Sequence, residues 1–194
     1  MTRRPSPSQP LPFSLESPLE QRLALDPEWR RGIEWGKPRS GHPEGAVKWH
    51  IGEVLANLDR LALPAIERTR LRLAALVHDS FKHRIDHTVP RIPPNEHGFL
   101  AAQFLAPLVP DPRLLSLIEL HDEGYRAWRA AQYGNDEQIW GRLAAIAGRM
   151  GPDLSLFVTF YWADNRSGDK EPGQLDWFVE RLADLGFTAT VPRP

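Results

Sequence analysis

The chain has 194 residues, of which 41% are hydrophobic and 25% charged, with a formal net charge of −1. This is an ordinary globular composition, and it gives no support to a general nucleic-acid or membrane-surface binder. Cysteine is absent, which excludes disulfides, thiolate zinc sites and a cysteine nucleophile, so histidine, carboxylate and water must hold any metal.

Residues 1–18 are rich in proline and serine and are expected to lack stable structure. They are basic but lead into no continuous apolar core, so they do not read as a secretory signal. From residue 19 to 190 the periodicity is helical rather than alternating, which predicts a single all-α domain followed by a tail at 191–194. Helices are expected at 17–25, 27–35, 43–61, 65–82, 95–108, 111–131, 135–149, 153–167 and 173–185. Pro64, Pro93-Pro94, Pro107, Pro110, Pro112, Pro152 and Pro172 punctuate them, and Asn95, Asp111 and Asp153 stand where caps are wanted. No apolar run reaches the roughly 20 residues that span a bilayer, so a cytoplasmic protein without membrane association is expected.

The informative residues are polar ones on apolar helical faces. His50 falls in the stripe Val47, Ile51, Val54, Leu55, Leu58. His78 follows Leu71, Ala74 and Ala75, with Asp79 beside it and Lys82 one turn on. His97 precedes Leu100, Ala101 and Phe104. His121 follows Leu114, Leu117 and Ile118, and Asp164 follows Phe157, Phe160 and Tyr161. A single histidine on such a face is usually a hydrogen-bonded core residue, but five helices each supplying one imidazole or carboxylate point jointly to a metal centre. Those ligand types suit Mn, Fe, Ni, Co, Mg or Zn, with Mn or Fe preferred. His42, His83 and His87 read as solvated loop residues.

The order His50, His78-Asp79, Asp164, together with the phrase Ala-Ala-Leu-Val-His-Asp-Ser-Phe-Lys, resembles the HD-domain superfamily of metal-dependent phosphohydrolases. The resemblance covers about residues 41–170 and implies a helical bundle with the metal site in its centre. It implies that His50, His78, Asp79 and Asp164 hold one divalent ion. Asn95-Glu96-His97-Gly98 and Ile118-Glu119-Leu120-His121-Asp122 resemble the two-metal branch, in which His97 and His121 would bind a second ion and Asp79 would bridge. The pairs of acidic residues and the Gly-Tyr-Pro signature of two nucleotide-signalling branches of the superfamily are missing. The helical segment from His97 onward also resembles part of the tRNA nucleotidyltransferases, but the residues ahead of it here do not read as a polymerase domain, so template-independent nucleotide addition is not expected.

The implied activity is hydrolysis of a phosphate ester, with metal-activated water as nucleophile and a nucleotide or related small phosphorylated metabolite as substrate. Asp79, Lys82 and Asp122 are the expected catalytic side chains: Lys82 to contact phosphate, Asp122 as proton donor or orienting group. Arg166 reads as a solvated loop arginine, Tyr125 as a candidate wall for a base, and Trp128 as core. Two other readings stand beside this one. The same ligands occur in HD-type di-iron oxygenases, and a non-catalytic metal-stabilised helical module would use apolar surface such as Trp140.

Overall fold

The computed structural model describes residues 10–39, 43–171 and 173–191; His42 lies outside them. The protein is an all-α bundle, with no strand among the described residues. Its helices are α1 (Pro18–Leu23), α2 (Pro27–Ile33), α3 (Val47–Leu58), α4 (Ala65–Val77) and α5 (His97–Leu105). They continue as α6 (Pro112–Leu120), α7 (Glu123–Ala131), α8 (Asp136–Met150), α9 (Leu154–Asn165) and α10 (Gln174–Asp184).

Starts follow from capping chemistry. Ser17, Asp26 and Asp111 each accept an amide of the first turn, and each is followed by proline at the first helical position. Asn135 caps α8 in the same way. The other two expected caps do different work: Asn95 ties a loop by donating to the carbonyls of Asp86 and Pro90, and the Asp153 side chain pairs with Arg113.

Helix α9 and the second half of α4 are apolar nearly all round and form the centre. In α4 every residue from Leu71 to Val77 is buried, and in α9 burial runs from Leu156 to Ala163. Around them α4 touches α3, α5, α6 and α9, while α7 packs on α8 and α10 closes over α7 and α9. Trp29 of α2 is fully buried and donates its indole N–H to the Leu76 carbonyl at 2.8 Å, so α2 seals the exposed end of α4.

Three expectations need correction. The segment read at 111–131 as one helix is two, broken at His121-Asp122. The helix read at 65–82 ends at Val77, leaving His78-Asp79 beyond its last turn and Lys82 in a 3-10 turn. Residues 10–17, read as unstructured, lie against the bundle: Leu11, Phe13 and Leu15 pack on the core, and Arg72 clamps the segment. The Arg72 guanidinium is buried, pairs with both oxygens of Glu20 at 2.9 and 3.0 Å, and donates to the Ser14 carbonyl.

Candidate metal centre

Both helix breaks have the same local cause. His78 Nδ1 bonds the Ala75 carbonyl at 3.0 Å, and His121 Nδ1 bonds the Ile118 carbonyl at 2.7 Å. In a continuing helix each carbonyl would take the amide of the following aspartate. The imidazole takes it instead, so each His-Asp pair ends its own helix and turns its carboxylate inward. Since a carbonyl only accepts, the neutral form of each ring carries its proton on Nδ1 and presents Nε2 as a lone pair.

His50, in the middle of α3, reaches the same point from another side. Its Nδ1 lies 3.0 Å from Ser167 Oγ, whose hydroxyl donates to the Asp164 carbonyl at 2.5 Å. Ser167 therefore accepts from Nδ1, and Nε2 of His50 is again a lone pair. Ser167 is buried and was not singled out in the sequence; it follows Asp164 by three residues, a spacing that carries no signal by itself.

The Nε2 atoms meet in two pairs. His50 and His78 approach to 3.1 Å, and so do His97 and His121. Asp79 lies between the pairs. Its Oδ2 is 3.6 and 3.7 Å from His50 and His78, and its Oδ1 is 3.3 and 3.4 Å from His97 and His121. Asp164 flanks the first pair, with Oδ1 3.0 Å from His50, and Asp122 flanks the second, with each histidine 3.6 Å away. All six expected ligands thus come together, and Asp122 joins them. Ligand atoms of His50, His78 and Asp164, of His78, Asp79 and His121, and of His97, His121 and Asp122 form three groups, each within 4.8 Å.

This donor set fits a divalent cation. The four histidines and Asp79 are buried, and Asp79 Oδ1 has no hydrogen-bond partner. A buried carboxylate oxygen in that condition is costly. The facing lone pairs of His50 and His78 add repulsion that a cation between them would convert to attraction.

Side-chain cations also serve the carboxylates. Lys82 Nζ is 2.5 Å from Asp79 Oδ2, and Lys170 Nζ is 2.9 Å from Asp164 Oδ1. Arg91 and Arg126 stand 3.9 and 4.0 Å from Asp122. Lys170 and Arg91 come from loops, and no sequence periodicity marks them. Burial opposes ionisation of Asp79, Asp122 and Asp164, but neighbouring positive groups hold each below the usual carboxylate range: Lys82 for Asp79, His121 for Asp122, Lys170 for Asp164. Burial opposes the charge on Lys82 as well, yet Asp79, Asp122 and Asp164 raise its pKa above the ordinary value.

The histidines divide. Burial pushes His78 down to about 3, and it lowers His97 despite Asp122 and Asp79. His121 is also buried, but those two carboxylates hold it above its usual value. The sign for stability follows. His78 and His97 stay neutral in the fold while the unfolded chain takes up protons below about pH 6.5, so acid favours unfolding. His121 works in the opposite sense but in another range: its stabilisation is lost as pH rises above about 6.5 and is already complete below it, while the three carboxylates add to acid loss only below about pH 4. Between about pH 6.5 and 4 only His78 and His97 of these groups therefore change stability, and the urea midpoint of metal-stripped protein is expected to fall across that range; a flat or rising midpoint there contradicts this assignment.

The remaining expectations sort clearly. His83 is not a solvated loop residue: its Nδ1 bonds the Ser80 carbonyl at 3.1 Å and its Nε2 meets Glu28 at 3.0 Å, pinning α2 to the turn after His78-Asp79. His87 is exposed. Arg166 is exposed and lies over the Trp162 ring. Trp128 is half-buried against the exposed Tyr125 rather than in the core, and Trp140 packs partly on it. No helix among the described residues is long and apolar enough to cross a membrane.

A cavity of about 510 Å³ opens beside His50, Asp79 and Lys82 and is walled by Trp35, Lys37, Pro38, Arg39 and Val47. No protein-family model, no curated protein and no solved structure matches the chain, so the site's meaning has to come from its own residues.

Proposed function

We propose that the protein is a metal-dependent phosphohydrolase with an HD-type centre, acting on a phosphate ester of a nucleotide or related small metabolite. The observation that supports this best is the Asp79 carboxylate, one oxygen facing each of two Nε2 pairs. His50, His78, Asp79 and Asp164 would hold one divalent ion, Mn or Fe for preference, and Asp79, His97 and His121 a second. Such ions supply an activated water and offset charge on phosphoryl oxygens.

The chain's own residues do the rest. The cavity beside Asp79 gives the substrate a way in, with Trp35 and Pro38 for an apolar body and Lys37, Arg39 and Lys82 for an anionic group. Lys82, part-buried against Asp79 and lining the cavity, is placed to exchange that carboxylate for a phosphate oxygen. Asp122 is held ionised, so the role that suits it is accepting a proton or orienting water, not donating a proton.

The test is a panel of phosphate monoesters, diesters and nucleoside triphosphates offered to Mn-loaded protein. Mn-dependent release from at least one class is expected, with phosphate appearing directly from a monoester. Stoichiometric metal without turnover of any class removes the hydrolase reading, and oxygen consumption by protein reloaded with Fe(II) replaces it with the oxygenase.

A further inference from the structure

The two halves of the centre differ in one atom. Three of its four histidines, His50, His78 and His121, have Nδ1 facing an oxygen that accepts, and so offer Nε2 to a metal. His97 does not. Its Nδ1 is 3.0 Å from an Arg91 guanidinium nitrogen. Arginine has five N–H donors and no acceptor, so Nδ1 must be the accepting atom and the ring proton of neutral His97 sits on Nε2. That is the atom the second ion would need. The acceptor within hydrogen-bond reach of that Nε2–H is the Nε2 of His121 at 3.1 Å, with Asp79 Oδ1 at 3.3 Å and Asp122 Oδ2 at 3.6 Å farther off.

We infer that Arg91 controls loading of the second ion: while its guanidinium holds Nδ1, His97 cannot ligate, and binding there requires Arg91 to withdraw. The inference rests on the metal-centre reading above. Arg91 is built to withdraw. Its side chain is 43% exposed, and it stands on the loop between Ile85 and α5, whose Val89 and Ile92 are also exposed. Asn95 ties off the base of that loop with bonds to Asp86 and Pro90, leaving Arg91 just beyond the anchored carbonyl. Its other neighbour, Asp122, is 3.9 Å away and has Arg126 as an alternative cation. Once clear of His97 the guanidinium remains at the rim of the site, where a phosphate oxygen is a suitable new acceptor. The first ion and the second would then load unequally: one half is set for metal as it stands, and the other is latched.

Titration with Mn(II) alone reads this directly, using ions bound per chain and the electron paramagnetic resonance signals of isolated and spin-coupled Mn. Wild type is expected to bind one ion tightly and the second weakly. Arg91→Met removes the donor, and Arg91→Gln replaces it with a side chain whose carbonyl can accept from Nδ1–H. Both are expected to tighten the second site by about ten-fold, the scale of effects from groups that orient a ligand, and to leave the first unchanged. Arg91→Lys, which offers only donors, is expected to stay near wild type. A second site that is unchanged or weaker in both the Met and Gln variants overturns the latch and leaves the metal centre intact. Wild-type protein that binds no Mn(II) overturns the metal centre, and the latch with it.

Discussion

Asp79→Ala is expected to abolish the spin-coupled Mn pair and to lower Mn-dependent phosphate release by about a thousand-fold, the loss seen when a charge-stabilising group is removed from a dry site. The reason is that Asp79 is the one carboxylate common to both halves. Its two oxygens each face an Nε2 pair at 3.3 to 3.7 Å, whereas Asp164 and Asp122 each serve one pair. Asp79→Asn separates charge from shape. It keeps the volume and removes the anion, so it should match Ala in metal binding while folding at least as well. Both changes are expected to cost some stability, because the fold holds Asp79 ionised against Lys82 and breaking such a pair strands its partner. Lys82 is only part-buried and has Asp122 and Asp164 as further carboxylate neighbours, so the chain is expected to stay folded, which its urea midpoint checks. Asp164→Ala, by contrast, should weaken only the first ion. Phosphate release that survives Asp79→Ala would mean that the chemistry happens elsewhere.

The ligands were legible because burial and charge conflict in them: His50, His78, His97, His121 and Asp164 sit at helical spacing within apolar stripes, and a polar group there needs a partner. The breaks at His78-Asp79 and His121-Asp122 were not legible. Leu114, Leu117, Ile118, His121, Tyr125 and Trp128 keep a helical period straight through the second break, and its cause is a side-chain bond to Ile118 that periodicity does not register. Ser167, Lys170 and Arg91 were missed for a related reason. They reach the site from loops, where no period constrains a residue and only the fold brings it near. At the N-terminus the abundance of proline and serine masked a signal that was present: Leu11, Phe13 and Leu15 alternate as an extended segment does, and all three pack on the core.

The largest effect on stability is expected at Gly32. A Cβ there would fall 1.6 Å from the Ser80 carbonyl oxygen and 3.2 Å from His83 Nδ1, and the first is backbone that no rotamer change can clear. Gly32 is what lets α2 lie directly on the turn that carries His78 and Asp79. Gly32→Ala must push the helix or the turn away, breaking the Trp29–Leu76 bond or the His83 bridge, so a cost of at least ~3 kcal/mol is expected, with Mn binding lost alongside. Gly98 plays the same part for the other half. A Cβ on it would lie 2.8 and 2.9 Å from the Glu119 and Ile118 carbonyl oxygens, the segment that positions His121. Gly98→Ala should therefore cost less stability than Gly32→Ala and should act selectively on the second ion by separating His97 from His121. Gly141 supplies the contrast. It is an exposed position inside α8 with nothing within 4 Å of its Cβ, so Gly141→Ala is expected to gain roughly 0.5–1 kcal/mol from helix propensity alone. Urea midpoints for the three variants, with Mn titrations beside them, separate these outcomes. If Gly32→Ala matched Gly141→Ala in both measurements, α2 would not be resting on the His-Asp turn, and the account of how that turn is held in place would fail.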